Sequence, residues 1–477
     1  MKYLHAIKII HDRKNRGLYN IIAEFFRFIG VFVLEDAPGY LNDTQKTDDT
    51  QFNIYLADNE KKLSSMLNGK KQYSIIFNNQ KLNSEINNLT LEKSVLDAAN
   101  VDLKELFKSI FEEIQKSGII VPSNVIGDLL PIYLNANIVI AASNLQYYRI
   151  VSVMHEKSKN IFQDAVEELN ALYNVTNGVA KEDIAQAEFH YHYSLLYCKY
   201  KVNLACWFMK NGEYNRRRGD GELCDANGFR REVQLQYKVF DLVEECRKLL
   251  AKYPQEPNLY VLLGLITERA SDGYSICVDA YTRALQSIGE QPYASHVYYW
   301  LGRVHEKYKE KNKEKNKENI YEAKRAYAKA YLLQKKYRNT YKVAVMYEKE
   351  DNWPRFFEYL KKCKAELEKV FAQDIPLDPL ELDYYCKVCL LLCMRSWQYL
   401  NDADAAIQYG EEVLKFFELH IKNDGLGEFQ RLYGDEYTFY QRESQNRISF
   451  KHVHETLAEA YRSKDDMVNS ELHRVQY

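Results

Sequence analysis

Two stretches of this chain carry the same spacing of large and small residues, and that recurrence restricts the fold more than any other property of the sequence. Tyr298-x2-Leu301-Gly302-x2-His305 is followed by Ala323-x3-Tyr327-x2-Ala330. One unit earlier stand Tyr260-x2-Leu263-Gly264 and Cys277-x3-Tyr281-x2-Ala284. Steps of three and four residues hold side chains on one helical face. A small residue on one helix opposite an aromatic on the next lets the two backbones approach closely. The spacing therefore predicts helices paired in sequence, each pair burying its apolar face against its neighbours.

Later segments keep the offsets with substitutions of like size. Thr340-x2-Val343-Ala344-x2-Tyr347 precedes Phe356-x3-Leu360-x2-Cys363, and Leu390-x2-Cys393-Met394-x2-Trp397 precedes Ala406-x3-Gly410-x2-Val413. His454-x2-Leu457-Ala458-x2-Tyr461 opens a last pair. Upstream, Leu242-x3-Cys246-x2-Leu249 runs to Pro254, with Glu188 to Met209 as its expected partner and Phe162 to Tyr173 in an opening pair. These residues resemble the tetratricopeptide repeat. The resemblance implies six or seven helical pairs forming an α-solenoid over residues 126–477, with a concave groove lined by first helices. It also implies a scaffold or adaptor that binds a protein or peptide partner in that groove. Tyr260, Tyr298, Tyr299 and Tyr341 are its candidate anchors, with Arg303 and Lys342 selecting acidic residues; the same tyrosines could instead pack between repeats. Family members that grip a peptide carboxylate use Lys and Asn on the groove side. Here Val261, Leu265, Tyr299, Arg303 and Tyr341 stand in those places, so that clamp is not expected.

The first part of the chain reads differently. Tyr3 to Ile10, Val31 to Leu34, Phe52 to Leu56 and Tyr73 to Phe77 are short β-rich runs. Between the first two, Leu18, Ile21, Ile22, Phe25, Phe26 and Ile29 form one helical face; Asn59 to Leu67 is a second expected helix. A strand, helix and strand in that order predict a parallel sheet, and hence a small Rossmann-like α/β domain over residues 1–125. Leu103, Leu106, Phe107, Ile110, Phe111 and Ile114 form a further helical face that Gly118 is placed to stop. Ligands of open parallel sheets bind at the carboxyl ends of the strands. Asp12, Asp36 and Asp58 lie there, as ligand-binding candidates or as ordinary turn and cap residues. The order of elements resembles TIR and receiver signalling domains. That implies, as an alternative function, a nucleotide- or NAD-binding sensor or effector enzyme regulated by the solenoid, as in bacterial antiviral defence. Glu85 and Glu92 are the nearest matches to a TIR glutamate, and no glycine-rich phosphate loop follows a strand.

Composition narrows the classes further. Sixty-five Lys and Arg against 67 Asp and Glu leave a net charge of −2, so no overall field draws nucleic acid, which is not expected as the main ligand. No apolar run reaches the ~18 residues of a membrane span, and a cytoplasmic protein is expected. The nine cysteines are spaced irregularly and read as free thiols. Cys386-x2-Cys389-x3-Cys393 fits a packed helical face better than a zinc site. His190-x-His192 and His452-x-His454 each place two rings ~200° apart on a helix. Neither metal nor cofactor is expected, and no catalytic motif points to an enzyme. Arg216, Arg217 and Arg218, with Arg230 and Arg231, concentrate charge in a polar insertion over Asn211 to Arg231, a candidate contact for a phosphate, an acidic peptide or a nucleic-acid backbone, or else a solvated loop. Self-association is left open.

Overall fold

The computed structural model describes residues 3–11, 16–36, 51–56, 93–135, 152–173, 184–219, 237–268, 270, 273–291, 293–308, 313–372, 379–419, 438–440 and 447–475. The chain is mainly helical and divides into two compact units, Met1–Val297 and Tyr298–Tyr477. The expected boundary at residues 125 and 126 lies inside the first unit.

That unit opens on strand β1 (Ala6–His11), helix α1 (Arg16–Phe28), strand β2 (Phe32–Asp36) and strand β3 (Gln51–Leu56). Both neighbours of β1 run parallel to it, in the order β2-β1-β3, with Ile7 beside Val33 on one side and Phe52 on the other. Short β-branched runs flanking an amphipathic helix leave a crossover as the route between parallel neighbours. The apolar face read from the sequence is the buried one: Leu18, Ile21, Ile22, Phe25, Phe26 and Ile29 are at most 2% exposed. Helix α2 (Lys93–Lys116) covers it, bringing the Phe107 ring to 4.8 Å from that of Phe25, and Gly118 follows at φ 79°. The expected strand Tyr73 to Phe77 and helix Asn59 to Leu67 lie outside the described residues. A complete Rossmann-like domain is thus not on view; three parallel strands are.

A π-helical turn (Val125–Leu129) leads into α3 (Leu130–Asn135), α4 (Ser152–Tyr173) and the long α5 (Ile184–Gly219). The polar insertion expected from Asn211 is corrected by α5, which carries Arg216, Arg217 and Arg218 in its last turns. Glu, Arg and Lys are good helix formers, so polarity alone did not end the helix there. Helices α6 (Val239–Lys252), α7 (Pro257–Thr267) and α8 (Tyr274–Ile288) complete the unit.

Buried polar contacts join α1 and the turn after it to these helices. Glu24 of α1 accepts a hydrogen bond from the Tyr197 hydroxyl at 2.8 Å and pairs with Lys201 at 2.7 Å. His190 Nδ1 lies 2.6 Å from the Ile29 carbonyl, and Asn258 donates to the Gly30 carbonyl. Gly30 sits at φ 84° with the Tyr193 ring where a Cβ would project, so only glycine allows this turn to dock on α5. Burial drives the His190 imidazole down to about 4 from 6.5, against the hydrogen bond to Ile29 that favours its charge. Below pH 6.5 the unfolded chain binds a proton that the folded chain refuses. Stability is therefore complete above that value and falls as the pH drops toward about 4, by roughly 3 kcal/mol. Urea unfolding of the first unit, read from Trp207, should show a lower midpoint at about pH 5 than at about pH 7.5, and His190→Gln should flatten the difference.

In the second unit, α9 (Ala294–Lys307), within which the division falls, meets α10 (Lys313–Leu333) through Gly302 and Glu306 against Tyr327, while α11 (Tyr337–Lys349) pairs with α12 (Trp353–Phe371) and α13 (Pro379–Arg395) with α14 (Ala403–Phe417). A π-helical turn, Ser396–Leu400, ends α13. The expected connector from Phe417 to Phe450 holds two short antiparallel strands, β4 (Thr438–Tyr440) and β5 (Arg447–Ser449). Helices α15 (Phe450–Ser463) and α16 (Met467–Arg474) form the last pair. The repeat letters work as their spacing requires: a Cβ at Gly302 would lie 2.9 Å from the Tyr327 ring, and Ala323, Tyr327 and Ala330 are fully buried. This is a tetratricopeptide-like helical repeat.

Candidate binding face on the first helices of the second unit

Glu306 organises the site. It lies near the end of α9 with its side chain fully buried, a costly place for a carboxylate unless it is paired. Lys342 donates to one of its oxygens and Lys349 to the other, each at 2.8 Å, and the Tyr327 hydroxyl donates at 2.7 Å. Burial alone would raise this carboxyl; the two lysines outweigh it and hold it below its ordinary value. Tyr327 is pushed far up, by burial and by the Glu306 charge. The lysine side chains keep 15% and 25% of their surface exposed, so α11 presents them at the edge of the core.

Two turns earlier on α9 stands Tyr299, whose ring centre lies 3.8 Å from the Arg338 guanidinium of α11, and Tyr327 packs on the same ring at 5.5 Å. Arg338 and Lys342 are one helical turn apart on α11, and Tyr299 and Arg303 one turn apart on α9, so the four meet on one face. Burial raises the Tyr299 phenol, but the fields of Arg338, Lys342 and Arg303 exceed that effect and leave it below its ordinary value. The face extends onto α13, where Tyr384 meets Tyr341 edge-on at 5.3 Å and Lys387 lies 5.6 Å over the Tyr384 ring. Such a surface can bind anions, through guanidinium and ammonium donors fixed by packed rings.

Of the candidates read from the sequence, Tyr299, Arg303 and Lys342 come together here. Tyr341 is beside them but only 7% exposed, packed against Tyr384. Tyr298 is half-buried against the core of the second unit. Tyr260 belongs to the first unit, where it lines an open pocket with Asp279, Thr282, Arg283, Gln286 and Ser287. Asp12 and Asp58 lie outside the described residues; Asp36 ends β2, in register with Ile10. Arg338, Lys349 and Glu306 were missed. The signal for Arg338 was present, since it precedes Tyr341 by three residues and so shares its face. Glu306 gave none, because a glutamate late in a helix reads as solvated. Cys386, Cys389 and Cys393 are fully buried among Val388, Leu390, Leu391 and Leu392. His190 turns to the Ile29 carbonyl, and His454 meets His473, Nδ1 to Nδ1, at 2.9 Å.

No family model and no curated protein matches the chain. Among solved structures, yeast Tom70 aligns at 14% identity over 83% of this chain and 74% of its own, with a TM-score of 0.35. A human IFIT1 dimer with PPP-AAAA aligns at 11% identity over 82% and 91%, with a TM-score of 0.28. A monomeric IFIT1 mutant with Gppp-AAAA aligns at 12% over 82% and 88%, with a TM-score of 0.30. What the chain itself displays is a helical-repeat scaffold with a cationic, tyrosine-braced face on the first helices of its second unit.

Proposed function

We propose that the chain is a binding scaffold that holds an acidic segment of a partner protein on the face made by Tyr299, Arg303, Arg338 and Lys342. The observation that carries this reading is the Arg338 guanidinium held 3.8 Å over the Tyr299 ring, with Lys342 one turn along α11 from Arg338 and Arg303 one turn along α9 from Tyr299. Net charge argued against nucleic acid as the main ligand, yet −2 for the whole chain says nothing of a local cluster; nucleic acid is therefore no longer set aside on that ground. Catalysis forms no part of this reading. An octaglutamate peptide, titrated onto the full chain, should bind with an affinity that falls as salt rises. Arg303→Glu should weaken it by at least about tenfold, one favourable charge contact being replaced by a repulsive one, while Arg283→Glu on the first unit should leave it unchanged. Equal binding by both variants would place the ligand elsewhere.

The strand order β2-β1-β3 favours a second reading for the first unit. In doubly wound sheets of this order ligands bind at the carboxyl ends of β1 and β3, the neighbouring strands whose following connections run in opposite directions. Asp12 and Asp58 follow those ends in sequence. A nucleotide or NAD site there would make the module a sensor or effector of the TIR-like kind. Calorimetric titration of the full chain with NAD and with ATP tests it: binding lost in Asp12→Ala and Asp58→Ala supports the site, and unchanged heats leave both residues as turn formers.

A further inference from the structure

We propose that the last helix pair carries a pH-sensitive latch: His454 of α15 and His473 of α16 hold α16 on its seat by sharing one ring proton, and α16 comes off when both rings are charged. The first ground is how little else seats this helix. Its buried residues are Ser470 and His473, while Met467, Val468, Leu472 and Val475 are 58–81% exposed, so its large apolar side chains add little to the seat. The Ser470 hydroxyl donates to the Ala458 carbonyl at 2.8 Å, and His473 meets His454, Nδ1 to Nδ1, at 2.9 Å. The second ground is the proton count. Two imidazole nitrogens at 2.9 Å bond only if one carries a proton and the other a lone pair. His473 Nε2 lies 2.8 Å from a Glu411 oxygen of α14, which as a carboxylate accepts, so that nitrogen carries a proton. In the neutral pair His473 Nδ1 is therefore the acceptor and His454 Nδ1–H the donor. One added proton leaves a single N–H in the contact; two added protons set N–H against N–H and charge against like charge.

The third ground is the surroundings. The charges acting on His454 are those of His473 and Glu411. Glu411 also accepts from the Tyr461 hydroxyl of α15 at 3.1 Å, and the Tyr461 ring stacks on His473 at 5.6 Å. The carboxylate holds the far edge of His473, so it balances one charge and leaves the meeting of two N–H groups unrelieved. From α13 comes Cys393, a buried thiol in the field of Glu411. Other charged side chains described on these helices have partners of their own: Glu412 takes Tyr385 and Lys364, Lys464 pairs with Asp404, Arg474 with Glu471, Glu459 accepts from Trp397, and Asp466 caps α16 at the Asn469 N–H. His452 stands ~200° round α15 from His454. Burial and the His473 charge hold the His454 imidazole below its ordinary 6.5, against the Glu411 field that favours its charge. Its contribution to the seat is therefore complete above 6.5 and is lost as the pH falls through the folded value.

The test is amide exchange of the full chain at about pH 7.5 and about pH 5, with labelling times scaled for the intrinsic rate. Protection of Met467–Arg474 should fall at least about tenfold at the lower pH, while Phe450–Ser463 and Ala403–Phe417 keep theirs. His454→Asn should hold α16 at both values, because a side-chain amide can donate to the His473 ring or accept from it. A thermal melt checks that this variant folds. If it does not, Glu411→Gln decides: it keeps both histidines, and should release α16 at about pH 5 but not at about pH 7.5. Equal protection of α16 in the parent at the two values would overturn the proposal. Release from His454→Asn at about pH 5, or from Glu411→Gln already at about pH 7.5, would overturn it by moving the titration to another group. Loss of protection shared by α13, α14 and α15 would mean unfolding of the unit and would overturn it too. So would release by EDTA at about pH 7.5, since a metal ion and not a proton would then join the two rings.

Discussion

Replacing Glu306 by alanine should destabilise the second unit by about 3–5 kcal/mol, because it removes the buried carboxylate with which Lys342 and Lys349 both pair at the edge of the core. The lysines are 15% and 25% exposed and can turn partly toward water, which places the value toward the lower end. Glu306→Gln keeps an acceptor for the Tyr327 hydroxyl, loses both ion pairs, and should cost about half as much. The pH dependence has a definite sign. Burial raises this carboxyl and the lysines lower it further than burial raises it, so the folded value lies below the ordinary 4.5. Its contribution is complete above 4.5 and is lost as the pH falls through the folded value. Urea unfolding read from Trp300, Trp353 and Trp397 measures all three effects. A Glu306→Ala protein as stable as the parent would mean that the lysines do not depend on this carboxylate.

Gly264→Val should unfold or severely weaken the first unit, by about 4 kcal/mol. A glycine inside a helix normally costs 0.5–1 kcal/mol relative to alanine, so on helix propensity alone any side chain would help. Packing reverses the sign here. A Cβ at Gly264 would come closer than 3.0 Å to three ring carbons of Tyr281, whose side chain is fully buried. Gly264→Ala should therefore also destabilise, while Gly127→Ala, with no atom within 4 Å of the new Cβ, should not. Combining Gly264→Ala with Tyr281→Leu should recover part of the loss, since the two positions occupy one contact. Additive losses in the double variant would show that the helices do not approach through this pair.

These two positions also mark what could be read from the sequence and what could not. Gly264, Gly302, Tyr281 and Tyr327 were legible because close helix packing imposes a size rule at fixed offsets, and size is visible in the letters. The α1 face was legible for the same kind of reason, a period of 3.6 with Phe25 and Phe26 at its centre. The length of α5 was not: Asn211 to Gly219 is polar, and polarity does not distinguish a solvated helix from a loop when helix formers fill it. The binding face was half legible. Tyr299 and Arg303 follow from counting along one helix, whereas Arg338 over Tyr299 and two lysines on Glu306 are contacts between helices, and no spacing within a helix encodes them. The buried His190 was visible only as one of a pair, and its partner proved to be the Ile29 carbonyl of the turn after α1.

Hydrogen–deuterium exchange of the full chain, with and without saturating octaglutamate peptide, tests the central claim most directly. The account predicts slower exchange in Ala294–Lys307 and Tyr337–Lys349, the two helices that carry Tyr299, Arg303, Arg338 and Lys342, with both changes absent in Arg303→Glu. Protection confined to other helices, or unchanged exchange in the two named while the peptide is bound, would contradict it.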